Sequence, residues 1–148
     1  MALFVSLISP FLVLAGWFFV YRNSNRIAKR SESYALVTKA LDKVLDIDKR
    51  CVEFWAGSKD KRESAVVWVA GTLSLLHGLR TLLEILEKHH GFPDKDLLMM
   101  MLRMSATLDA EYIDKLSDEQ VAKKRVKQAE ALSFALHSLY GYYRQKCD

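Results

Sequence analysis

The sequence predicts an all-α protein: an N-terminal single-span transmembrane helix that continues into a cytosolic antiparallel helical bundle of about four helices. Three observations carry this reading. No charged side chain occurs between Met1 and Tyr21, apolar residues in the remainder recur at steps of three and four, and no segment alternates convincingly with period two. Six glycines and two prolines in 148 residues leave long stretches with nothing to break a helix.

The first element is the span, residues 1–21. Its only clearly polar side chains are Ser6 and Ser9, and at about 1.5 Å per residue it is long enough to cross a hydrocarbon core of about 30 Å. A secretory signal would carry positive charge ahead of its apolar run and a small-x-small cleavage site behind it. Here no Lys or Arg precedes the run, which ends "AGWFFVYR". Trp17, Phe18, Phe19 and Tyr21 gather where aromatic rings favour headgroups, and Arg22, Arg26, Lys29 and Arg30 follow directly. The positive-inside rule then puts the N-terminus outside and the body on the cytoplasmic side of the inner membrane. Pro10 falls mid-span, where a proline can kink a helix or simply be tolerated.

Residues 22–33 form a basic juxtamembrane segment. Arg22, Arg26, Lys29 and Arg30 follow the spacing i, i+4, i+7, i+8, which puts them on one side of a helix. Membrane lipid is therefore an expected partner, attracting each cation by about 1 kcal/mol. The same residues set the topology.

Residues 34–148 read as the bundle; with the span set aside, about 125 residues remain, enough for one small core. Between Gly16 and Gly57 there is neither Gly nor Pro, and Tyr34, Val37, Leu41, Val44, Leu45, Val52 and Trp55 recur with helical spacing, so the membrane helix is expected to continue unbroken. "GSKDKRE", Gly57 to Glu63, is a polar turn. Val66, Val69, Leu73, Leu76, Leu79, Leu83 and Leu86 then mark a second helix, which ends where Gly91 can cap and Pro93 cannot continue. A third begins at Asp94 as N-cap. The last starts at Ser117 and Gln120, which have capping-box spacing, and carries Val121, Ala129, Leu132, Leu136, Leu139 and Tyr143.

Ser64–Leu79 holds no formal charge and must be weighed as a second span. It is about four residues short of the usual length, contains His77 and keeps its apolar residues on a stripe, so burial in the bundle is expected. Gly71, Ser74 and Gly78 form a small-residue stripe that permits close approach of another helix, from the same chain or from a second copy.

Little here points to chemistry. Glu87 and His90 have the E-x-x-H spacing of di-iron bundles, but the second pair is missing, since Phe134 stands three positions before His137. No metal site and no cofactor is expected. The glycines form no phosphate-binding loop, and Cys51, four residues before Trp55 on the apolar side of its helix, reads as core. Two cysteines in unrelated contexts make no disulfide framework and suit a reducing cytosol. A net charge of +4, explained largely by the juxtamembrane cluster and with no basic-aromatic reader motif beside it, gives no reason to expect nucleic-acid binding. The methionines of "LLMMMLRM" are consecutive, which suits adaptable packing.

Two surface features remain as partner or oligomer sites. Lys123, Lys124, Arg125 and Lys127 lie early in the last helix, where cations gain nothing from its dipole; they suit a solvated face, an acidic partner or lipid headgroups. Tyr140, Tyr142 and Arg144, beside Tyr143, have the aromatic and Arg composition of interfaces. The expected function is a membrane-anchored, non-enzymatic interaction module that binds a protein partner or itself. The alternative is a defence or toxin-type effector that oligomerises and permeabilises the bilayer, although a span without charges offers no ion-conducting lining. An enzyme acting on lipids would need a catalytic constellation that is not found in the sequence.

Overall fold

In a computed structural model, which describes the backbone of residues 2–147 and the side chains of residues 11–146, the chain begins with one long helix. This is α1, Ala2–Trp55, 54 residues and about 81 Å long at the usual helical rise. Its backbone runs helically through Pro10, whose side chain, like those of Ser6, Ser9 and Cys147, lies outside the described set. Then come α2 (Ala65–His90), α3 (Lys95–Thr107) and α4 (Asp118–Cys147). Short 3-10 turns occupy Lys59–Lys61 and Ala110–Lys115. Among the described residues there are four α-helices and no strand, so the all-α expectation holds.

The helix ends follow local chemistry. Gly91 takes φ 74°, the left-handed region that Gly enters without a Cβ penalty. Its N–H donates to the Glu87 carbonyl, the single bond of a left-handed helix ending, while the Phe92 N–H donates to the Leu86 carbonyl and Phe92 folds into the core. At the start of α4 the Ser117 N–H donates to Gln120 Oε1 at 2.8 Å and the Gln120 N–H to Ser117 Oγ at 3.3 Å, the reciprocal capping box. Asp94 does stand before α3, but its side chain makes no capping bond. The end of α1 is held by a residue the sequence did not single out. Arg62 reaches back from the polar turn and donates to the carbonyls of Phe54 at 2.9 Å and Gly57 at 3.0 Å, satisfying groups that a helix C-terminus leaves open. Asp109 at φ 67° starts the second 3-10 turn, a conformation Asp tolerates better than most side chains.

The core is a column between the four helices. From α1 it takes Val37, Ala40, Leu41, Val44, Ile47, Cys51, Phe54 and Trp55; from α2 Trp68, Thr72, Leu76, Leu79, Leu83 and Leu86. The phase of two helices departs from the apolar pattern. In the first half of α2, Val66 is 77% exposed and Leu73 39%, while Trp68 is buried. Two phases are compatible with Leu76 onward, and the indole decides between them because it has far more surface to hide. In α4 the line of closest approach is Gln128, Ala131, Ala135, Leu139 and Tyr142, with Leu132, Phe134, Leu136 and Tyr143 half-buried on either side. Alanine at the centre lets α4 lie close between its neighbours, and the larger side chains fill the flanks.

Two aromatic clusters mark the ends of the column. At the end nearer the chain's N-terminus, Tyr34 packs on Tyr143 and Phe92 on Tyr142, with ring centroids 5.3 Å apart in each pair. At the far end Trp68 stacks on Phe54 at 4.1 Å, and Trp55 meets Trp68 edge-on at 6.1 Å. Trp55 Nε1 donates to the Ala106 carbonyl and Trp68 Nε1 to that of Arg50, so both buried indoles are satisfied.

Candidate functional site

The most unusual feature of the fold is the first part of α1. No side chain from Phe11 to Glu32 is buried, and packing begins at Ser33. Residues 11–32 therefore project from the bundle as a bare stem about 33 Å long. Phe11, Leu14, Trp17 and Phe19 are 72%, 69%, 74% and 71% exposed, a contiguous apolar surface of a kind that marks membrane or protein contact. Arg22, Arg26, Lys29 and Arg30 are all exposed just beyond it.

The other sequence-derived candidates are dispersed. Gly71 lies against the Arg50 guanidinium, which a Cβ there would have to displace, so this part of the small-residue stripe serves contact between α1 and α2 of one chain. Gly78 is half-buried with open space around it, and Ser74 is exposed. Of the four cations in α4, Lys124 is buried, 3.1 Å from Asp109 Oδ2 and 5.5 Å above the Trp55 ring. Arg125 bonds Gln128 and reaches Asp48 at 3.5 Å. Lys123 and Lys127 are exposed, Lys123 with Glu119 one turn away at 2.6 Å. Lys124 and Arg125 thus join the bundle's own polar network, which the sequence pattern could not reveal because their acidic partners lie 15 and 77 residues away. Tyr142 is buried as well, its hydroxyl donating to the His90 carbonyl at 2.8 Å, whereas Tyr140 and Arg144 are exposed.

Glu87 and His90 do not converge. Glu87 accepts from Lys95 at 2.6 Å, and that carboxylate raises the Lys95 ammonium above its ordinary value. His90 Nε2 faces Glu32 at 3.8 Å, beyond hydrogen-bond reach. Among the described residues no three His, Cys, Asp or Glu side chains group to hold a metal ion.

Cys51 is 2% exposed, and burial pushes its thiol up from 9.0 to about 12, against a smaller lowering by Arg125. Thiolate, the nucleophilic form, is suppressed at neutral pH. Because the folded value is the higher one, the stability tied to this thiol is present below 9.0 and lost as pH rises through about 12. At about pH 8, Cys51 is expected to resist iodoacetamide in the folded chain and to react after denaturation, as peptide mass mapping will show. Rapid native labelling at Cys51 would contradict its burial.

One helix among the described residues, α2, is long and apolar enough to cross a membrane by length and composition. It also carries Trp68, Leu79, Leu83 and Leu86 into the core, a property shared with core helices of soluble proteins. No protein-family model, no curated protein and no solved structure matches this chain.

Proposed function

We propose that the chain is a non-enzymatic interaction module held on the cytoplasmic face of the inner membrane by residues 1–21, with its N-terminus outside and its helical bundle presented to protein partners. One observation carries the reading: a single helix passes without a break from an uncovered apolar stem, through an exposed basic turn, into a packed core. At about 1.5 Å per residue, residues 1–21 are long enough to cross a hydrocarbon core of about 30 Å, and Arg22, Arg26, Lys29 and Arg30 stand where anionic headgroups would meet them. On this reading α2 belongs to the bundle, because drawing it into lipid would break the stack of Trp68 on Phe54. The effector alternative draws no support from Gly71, which is occupied within the chain.

The test is reconstitution of the full-length chain into dye-loaded vesicles of phosphatidylcholine and phosphatidylglycerol. The tethered module is expected to float with the vesicles and to leave the dye inside. A chain that stays in the aqueous fractions refutes the anchor, and dye release refutes the module in favour of the effector.

A further inference from the structure

α3 is apolar on two faces. Leu98, Leu102 and Ala106 are buried in the core. On the outer side Leu97, Met100, Met104 and Leu108 follow the spacing i, i+3, i+7, i+11 and are 46%, 52%, 55% and 52% exposed. A helix that only closes a bundle needs one such stripe. The second borders a groove of about 490 Å³ between α3 and the N-terminal half of α4, floored by Leu116 and Ala131. Lys123 and Lys127 stand on the α4 rim. Inside the groove Lys124 and Asp109 neutralise each other, Lys123 has only an exposed partner one turn away, and Lys127 has no acidic partner among the described residues. Glu130 is the one remaining acid in the lining.

We propose that this groove receives an amphipathic helix of a protein partner, with its apolar residues on Met100, Met104 and Leu108 and an acidic flank facing Lys123 and Lys127. From Leu97 to Leu108 the stripe runs about 16 Å, the length of about three helical turns. Unbranched methionines adapt to whichever apolar side chains are presented, and a concave seat between two helices is the form in which amphipathic helices dock. The inference rests on the tethered reading for one step, the exclusion of lipid. The groove lies at the far end of the bundle, where Trp55 bonds the Ala106 carbonyl and Lys124 covers Trp55. Trp55 is about 50 Å along an unbroken helix from Arg22, many screening lengths from headgroups. A second copy of the chain is a poor occupant, because its exposed apolar face on α2, with Val66, Val67 and Leu73, lies in a stretch from Ser64 to Leu79 that contains no acid.

The experiment uses the full-length chain in nanodiscs with 13C-labelled methionine methyls. It is titrated with two designed helices that share the same leucine positions, one flanked by Glu and the other by Lys. The acidic helix is expected to shift the signals of Met100, Met101 and Met104 and to bind at least about tenfold tighter than the basic one. Lys123→Glu with Lys127→Glu is expected to reverse that preference, and Met104→Glu, an exposed site whose folding is checked by thermal unfolding, to abolish binding. Equal binding of both helices, or of neither, overturns the proposal. So does movement of the same methyls with protein concentration alone, which assigns the groove to a second copy, or with added phosphatidylglycerol vesicles alone, which assigns it to lipid. A chain that stays in the nanodisc but ignores the acidic helix loses the groove and keeps the tether; one that binds the helix but leaves the lipid loses the tether alone.

Discussion

Replacing Trp68 with alanine is expected to destabilise the folded chain by about 3–5 kcal/mol, the range for emptying a buried tryptophan site. The indole is 1% exposed, lies flat on Phe54 at 4.1 Å and meets the edge of Trp55 at 6.1 Å. Its loss leaves a hole where α1 ends and α2 begins, and both chain ends at the hole are short of slack. Arg62 grips the last carbonyls of α1 on one side, and Arg50 pairs with Glu63 at 2.7 Å on the other. Collapse to fill the space is therefore restricted, and the upper half of the range is the better expectation. The Arg50 carbonyl also loses its donor. Against a total of about 5–15 kcal/mol for a domain of this kind, the melting midpoint of the full-length chain should fall by about 10–25 °C. Val66→Ala is the matched control: 77% exposed two residues away, it should stay within about 0.5 kcal/mol. Similar losses at both positions would mean that α2 is rotated from the phase described.

That pair also shows where sequence reading stops. Spacings of three and four place Val66 and Leu73 on the core side as readily as Trp68 and Thr72, because both sets join the same line at Leu76. The bulk of the Trp68 indole tips the balance, and the rings that receive it, Phe54 and Trp55, belong to another helix, which spacing within α2 does not show. Helix ends were legible for the opposite reason. Gly91 before Pro93, and Ser117 with Gln120, act locally, so their spacing alone announces them. Arg62 carries no such signature: a cation in a polar turn becomes the cap of α1 only once the chain has reversed direction. The same division holds for function. The proposed anchor rests on sequence directly, because an uncharged run followed by aromatic rings and cations needs no tertiary neighbour to define it. The groove could not, since Met100, Met104, Lys123 and Lys127 come together only when α3 and α4 pack, and the methionine run by itself gave an account of packing alone.

Phe11→Arg combined with Leu14→Arg is expected to release the full-length chain from vesicles while leaving its bundle intact. The two positions lie on one side of the stem near the middle of the proposed span, at i and i+3. Each arginine at mid-helix costs about 2.5–3.5 kcal/mol of insertion free energy, so together roughly 5–7 kcal/mol is removed from the anchor. These insertion costs already include the relief that snorkelling and local thinning of the bilayer supply. The bundle should not notice. Packing begins at Ser33, and no side chain between Phe11 and Glu32 is buried, so the thermal midpoint of the folded body is expected to hold within about 0.5 kcal/mol of the parent. Flotation and thermal unfolding of the same sample separate the two statements. If the variant still floats, the stem is not the anchor, and α2, the other apolar helix of sufficient length, becomes the segment to test in lipid. If flotation is lost and the midpoint falls with it, the stem is a structural part of the fold, and its exposed apolar surface answers to the protein rather than to the membrane. Loss of flotation with an unchanged midpoint is the outcome that follows from a helix with two solvents, lipid for its first half and the bundle's own core for its second.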